Sequence, residues 1–312
     1  MSEVRGVLLA LCLLSGCAAS SDGRGAPDAT AALDGEAGGE AGVMRPDAGR
    51  PVPDAGGEVG CEERARWVYT LDRDGTLTRF EPDTLSFTDI GVVSCGDAAG
   101  RPFSMAVDRF ATAWVLFRGD WRIYHVSTDD ASCTPTEFVA NQDDFERFGM
   151  GFVSDGPGRE ETLYVAGGMM PPFEPGNARL GQVNPETLEL APVGELVGWP
   201  ELTGNGAGGL FAFNPASEVF SRIVPATIIA LNRDTAATEE TFTLTDMGVG
   251  DARAWAFAFW GGRFYVFVEL EGSTTDVWRY ETGGATLERV LESTGRSIVG
   301  AGVSTCAPVD LI

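Results

Sequence analysis

The sequence predicts an all-β, five-bladed β-propeller, on three observations. Five short apolar segments superimpose at a near-constant period. Each is followed by two further strands joined through polar turns. A strand of small residues precedes four of the five, and its missing counterpart is "SIVGAGVSTC", Ser297 to Cys306, almost at the end of the chain.

The apolar segments are "RWVYT" at Arg66, "AWVLF" at Ala113, "TLYVA" at Thr162, "GLFAF" at Gly209 and "RFYVF" at Arg263. Their starts lie 47, 49, 47 and 54 residues apart. Second strands run into turns in "TRFEPDT", "YHVSTDD", "GQVNPET", "IALNRDT" and "VWRYETG". The Asn, Asp, Pro and Gly residues there suit tight hairpins. Third strands such as "SFTDIGV" and "TFTLTDM" follow. The small-residue strands are "FSMAVD", "GMGFVSD", "ELTGNG" and "WAFAFW". The first strand of a propeller blade lines the central channel, where backbones converge and bulky side chains clash. Gly149, Gly151, Gly204, Ala256 and Ala258 meet that demand. Six blades is the alternative, if the 54-residue spacing hides a degenerate unit.

Unit one has no small-residue strand before it. "SIVGAGVSTC" matches "FSMAVD" and "GMGFVSD" in size pattern and can supply the innermost strand of blade one, so that the two chain ends close the ring. Closure removes two exposed sheet edges. Cys61 precedes the first strand of unit one and Cys306 ends the closing strand, so the two are expected to bond. In the chain-entropy picture such a bridge contributes roughly 5 kcal/mol. Four cysteines permit three connectivities, and exclusion leaves Cys95 with Cys133. A simple strand count, however, puts Cys95 and Cys133 near opposite faces of the ring.

Upstream of the repeat the composition changes. "MSEVRGVLLALCLLSGCAAS" holds an apolar run, Val7 to Leu14, too short to span a bilayer as a mature helix. Leu14-Ser15-Gly16-Cys17 resembles the lipobox of bacterial lipoproteins. It implies removal of residues 1–16 as a signal peptide, with lipidation of Cys17. Acyl chains contribute roughly 0.8 kcal/mol per buried CH₂, so the membrane is an expected partner. Ala18, in place of Asp, leans to the outer membrane. Residues 18–60 are rich in Gly, Ala, Asp and Pro and cannot bury enough surface to fold. They read as a tether spanning on the order of 35 Å. The expected organisation is therefore signal peptide 1–16, lipidated Cys17 and tether 17–60, propeller 61–312.

Net charge is −24, from 46 acidic and 22 basic residues. No basic stripe occurs, which argues against a nucleic-acid partner. The single histidine, His125, sits in a strand of alternating pattern, so a histidine-based zinc site is excluded and His-dependent nucleophilic catalysis lacks a motif. Neither a GxSxG elbow nor a phosphate-binding glycine loop occurs. "DRDG", Asp72 to Gly75, starts like a calcium loop but lacks the later acidic ligands. Asp108 and Asp155 lie at equivalent ends of two innermost strands, with Asn205 and Ser304 as neutral helpers. They are the weak metal candidates, for calcium, of an enzymatic reading; otherwise they cap strand turns and no cofactor is required.

Loops give the better clue. Connections between the first and second aligned strands of a blade emerge on one face, as do the crossovers between blades. That face gathers "GGMMPPFEPGN" (167–177), "NPASEVFSRIVP" (214–225) and "ELEGSTT" (269–275). Met169, Met170, Phe173, Val219 and Phe220 are apolar residues on those loops, with Trp199, Phe145 and Phe148 entering from blade junctions. An apolar cluster on a rigid ring makes a binding face.

Several stretches together, "PFSMAVDRFATAWVLF", "VSTDDASCTPTEF", "FGMGFVSD", "ETLYVA", "ELTG", "AWAFAFWGG" and "IVGAGVSTC", span most of residues 61–308. In them the chain resembles a family of uncharacterised exported β-propeller lipoproteins of myxobacteria and their relatives. The resemblance implies pairing of Cys95 with Cys133, because such proteins carry cysteines at both places. It implies no activity. The expected function is a non-catalytic binding or scaffolding module that takes a protein or small-molecule ligand. The alternative is a calcium-dependent hydrolase or lactonase-like enzyme using channel carboxylates.

Overall fold

The structure, a computed structural model, describes residues 61–158, 160–169, 178–219, 222–247, 252–281 and 286–310. Cys17 and the signal and tether segments lie outside the described residues. Blade one carries β1 (Val68–Asp72), β2 (Thr76–Glu81) and β3 (Ser86–Val92). Blade two carries β4 (Pro102–Val107), β5 (Thr112–Phe117), β6 (Ile123–Ser127) and β7 (Cys133–Pro135). Blade three carries β8 (Arg147–Ser154), β9 (Glu161–Gly168), β10 (Arg179–Val183) and β11 (Leu190–Glu195). Blade four is built from β12 (Glu201–Gly204), β13 (Leu210–Asn214), β16 (Ala226–Leu231) and β17 (Thr238–Leu244). A separate hairpin, β14 (Ser217–Val219) and β15 (Arg222–Val224), is inserted in it. Blade five carries β18 (Ala252–Trp260), β19 (Arg263–Leu270), β20 (Asp276–Glu281) and β21 (Thr286–Leu291).

The last strand, β22 (Ile298–Val303), belongs to the first blade. It pairs antiparallel with β1, Val68 opposite Val303 and Thr70 opposite Ala301, giving the sheet order β22-β1-β2-β3. The innermost strands touch in a closed ring, β22 to β4 to β8 to β12 to β18 and back. Five blades close the circle. The 54-residue spacing holds the β14–β15 hairpin rather than a sixth unit.

Close approach of the inner strands explains their small residues. A Cβ on Gly302 would lie 2.7 Å from Val107 Cγ2 and 2.9 Å from Val107 N, and one on Gly151 would lie 3.0 Å from Thr203 Cα. Five apolar cores lie between neighbouring blades. In the core between blades five and one, Phe80 meets Tyr265 at 5.6 Å and Phe267 at 5.4 Å between ring centroids. Because both faces of a blade pack, β1 is buried at every position, while the outer strand β3 has no buried residue. The polar turns repeat as well. Asn184 Oδ1 accepts from Glu186 N and Thr187 N, and Asn232 Oδ1 from Asp234 N and Thr235 N. Leu85, Ala131, Leu188 and Ala236 then take left-handed φ at equivalent places.

Both disulfides form. Cys61 bonds Cys306 at a Cα separation of 5.7 Å, and Cys95 bonds Cys133 at 5.3 Å. The strand count that set Cys95 and Cys133 apart ignored blade twist. Twist accumulated over four strands swings the end of β3 across to the neighbouring outer turn. A Cβ on Gly91 would sit 3.2 Å from Ala131 Cβ and 3.4 Å from Asp130 O, just before β7.

Candidate functional site: the basic mouth of the channel

The starts of the innermost strands and the ends of the second strands meet at one end of the ring. This is the end where the crossovers and the long connections emerge. There a cavity of about 320 Å³ is lined by Phe103, Arg118, Arg147, Gly149, Trp199, Glu201, Arg253, Ala254, Trp255 and Val299. Three guanidiniums and three aromatic rings thus surround one mouth of a strongly acidic chain.

The arginines are held by rings. Arg118 lies 4.9 Å from the centre of Phe103, and Arg147 lies 4.7 Å from that of Trp121. Phe103 and Trp121 meet edge to face at 5.4 Å, so cation and ring alternate across the junction of blades two and three. Burial lowers the basicity of Arg118, and the like charges of Arg147, Arg73 and Arg101 lower it further. Among the described residues no ion pair involves Arg118, whereas Arg147 has Glu146 at 3.8 Å and Arg253 pairs with Glu271.

Below the arginines lies Glu201, 5% exposed. It starts β12, and its Oε1 accepts hydrogen bonds from the Ser104 hydroxyl of β4 and, at 3.4 Å, from Met150 N of β8. Gly149 makes room for it: a Cβ there would lie 2.8 Å from Glu201 Oε2. Burial pushes the carboxyl up to about 8, against the two hydrogen bonds, which favour the charged form. At neutral pH it is therefore largely a neutral acid.

The opposite end differs. A cleft of about 880 Å³ between blades two and three is lined by Asp108, Asp155, Glu160, Glu161, Glu186 and Glu189, beside Trp114 and Phe152. Asp108 Oδ1 accepts from Phe110 N at 2.9 Å and Thr112 N at 2.8 Å, and Oδ2 from Trp114 Nε1 at 3.0 Å. Asp155 accepts from Thr162 Oγ1 at 2.8 Å and pairs with Arg233 at 3.3 Å. Asn205 Oδ1 caps its own turn in the same manner as Asp108. Ser304 Oγ donates to Ala65 O at 2.7 Å and accepts from Cys306 N. Asp108 and Asn205 cap their own turns, whereas Asp155 and Ser304 hold contacts to other segments. Among the described residues no group of three or more His, Cys, Asp or Glu side chains is arranged to hold a metal ion.

Of the loop residues, Trp199 lines the mouth. Met169 is exposed just past β9, and Val219 ends β14 opposite Arg222. Met170, Phe173 and Phe220 lie outside the described residues. Phe145 and Phe148, read from sequence as part of the exposed cluster, are fully buried between blades two and three. Phe148 alternates with Gly149 and Gly151 along β8 and so faces the inter-blade core, while Phe145, ahead of that strand, lies over Gly181 of β10, where a Cβ would come within 3.0 Å of its ring. His125 lies against Trp114 with ring centroids 4.3 Å apart and planes tilted by 54°, half-buried, with its basicity lowered by burial. Sequence reading missed Phe103, Arg118, Arg147, Glu201, Arg253 and Trp255. The usable signal is an acidic residue opening a small-residue strand, with basic residues at the start of two inner strands, Arg147 and Arg253, and one, Arg118, just past a second strand.

No family model matches the chain, and no curated protein matches it. Solved structures resemble it at low identity. A chain of the nidogen/laminin complex is 15% identical with a TM-score of 0.45, over 78% of this chain and 81% of that one. TolB from Acinetobacter baumannii is 11% identical with a TM-score of 0.45, over 74% of this chain and 54% of that one. A streptogramin B lyase is 13% identical with a TM-score of 0.40, over 75% of this chain and 67% of that one. At these values the functional reading rests on the geometry of the channel mouth.

Proposed function

We propose that this chain is a cell-envelope lipoprotein, held at the outer membrane through Cys17, whose propeller is a non-catalytic binding module. One observation carries the binding reading: aromatic and cationic side chains converge on a single preformed mouth, on the face that bears the long connections. Cavities of this kind, apolar-walled with a few placed polar groups, are the usual form of a ligand site. The carboxylates that an enzymatic reading would use already have partners, Asp108 in its own turn and Asp155 with Thr162 and Arg233. Two disulfides agree with an oxidising compartment, and Leu14-Ser15-Gly16-Cys17 supports export and lipidation.

The binding reading is tested by a thermal-shift screen of small molecules of all charges on the full chain and on Trp199→Ala and Trp255→Ala variants. Stabilising compounds whose effect is lost in both variants are expected. Stabilisation that survives both replacements would place binding elsewhere. Anchoring is tested separately. Cys17→Ser should move the protein from the membrane to the soluble fraction of its host, and retention in the membrane would contradict the anchor.

A further inference from the structure

The mouth also specifies a chemistry, and the inference rests on the binding reading above. We propose that it holds a small organic anion with an aromatic body. A carboxylate is gripped by Arg118, Arg147 and Arg253, and the ring lies among Phe103, Trp199 and Trp255.

Charge is the first argument. A chain with 46 acidic and only 22 basic residues gathers three arginines at one opening. Among the described residues the one carboxyl lining that opening is Glu201, while Glu146 stands 3.8 Å from Arg147 and Glu271 pairs with Arg253, so Arg118 is the guanidinium without an ion pair. Held largely neutral at pH 7, Glu201 does not cancel the guanidiniums. Among the described residues no hydrogen bond falls on its Oε2, which leaves a donor O–H at the floor of the cavity.

Geometry is the second. A guanidinium resting on a ring uses its flat face and keeps its N–H edge for a planar partner. Arg118 over Phe103 and Arg147 over Trp121 are fixed in that way. Burial, and after it the neighbouring cations, depress Arg118, so an anion beside Arg118 and Arg147 offsets both as well as forming bonds. Size is the third. A cavity of about 320 Å³ is at the small end of ligand sites and suits a one- or two-ring acid.

The experiment is calorimetric titration of the full chain with naphthoate and indole-acetate, with their neutral amides, and with inorganic phosphate. Saturable binding of the acids is expected, with the amides about ten-fold weaker or worse. Arg118→Ala and Arg147→Ala should each weaken the acids about ten-fold and leave the amides unchanged. Trp199→Ala should weaken both. Arg233→Ala, at the other end of the ring, should change nothing.

Amides that bind as well as acids, or arginine variants that bind like the parent, overturn the proposal. So does failure of every acid at millimolar concentration. Phosphate binding as tightly as the acids overturns the aromatic part. A neutral or cationic ligand that is lost with Trp199→Ala sinks the anion and leaves the binding module standing. The absence of any ligand at the mouth removes both.

Discussion

Glu201 shows how far a single residue is governed by its surroundings. Unfolded, its carboxyl ionises near the ordinary 4.5; folded, burial moves it to about 8. Stability associated with the neutral form is fully present below pH 4.5 and is lost as pH rises through 8. Glu161, pushed up to about 7 chiefly by burial, slopes the same way. Glu201→Gln keeps the acceptor for Ser104 and Met150 and cannot ionise. At pH 4.5 it should melt close to the parent, and at pH 8 about 8–16 °C higher, roughly 4 kcal/mol. Parallel melting curves across that range would contradict the assignment. Arg296 is the complementary case. It donates to buried Asp72 at 3.1 Å and to Asp89 at 2.5 Å. Burial raises the Asp72 carboxyl and Arg296 opposes the rise. Arg296→Ala leaves a buried charge and should cost about 3 kcal/mol near neutral pH, and less in acid, where Asp72 is protonated. Urea unfolding at the two pH values checks this; equal losses would contradict it. Neither role was legible in the sequence. Glu201 is one letter in "ELTG", and its partner Ser104 is 97 residues away. Arg118, Arg147 and Arg253 are brought together only by ring closure.

At the scale of elements the sequence was far more legible, because strands and turns have local causes. The period, the turn residues and the small inner strands all follow from what each segment must do within one blade. What escaped was what depends on neighbours. The sequence predicts Phe145 and Phe148 in an exposed cluster, yet both are buried between blades, Phe148 by alternation along β8 and Phe145 by packing over Gly181. The sequence predicts a loop over residues 214–225, and the segment contains the β14–β15 hairpin. The pairing of Cys95 and Cys133 defied a flat strand count because blades twist. Inner-strand packing is itself testable. Gly302→Ala puts a Cβ 2.7 Å from Val107 Cγ2 and 2.9 Å from backbone, so something must shift. We expect a loss of about 1–3 kcal/mol in urea unfolding. An unchanged midpoint would mean that β22 does not lie against β4.

At the scale of the molecule, the ring sorts its charge by end. The crossover end carries the arginine and aromatic mouth, and the other end an acidic cleft. Cys61 and Cys306, at the acidic end, are 245 residues apart in sequence and join strands of one sheet. All five inner strands keep their spacing only if β22 stays beside β1, so the mouth depends on that closure. Replacing both cysteines by Ser should lower stability by up to about 5 kcal/mol in the chain-entropy picture. The most direct measurement is mass mapping of the unreduced, digested full chain. Closure predicts one cross-linked peptide joining Cys61 to Cys306 and another joining Cys95 to Cys133. Free thiols at both Cys61 and Cys306, or either of them bonded to Cys95 or Cys133, would contradict it.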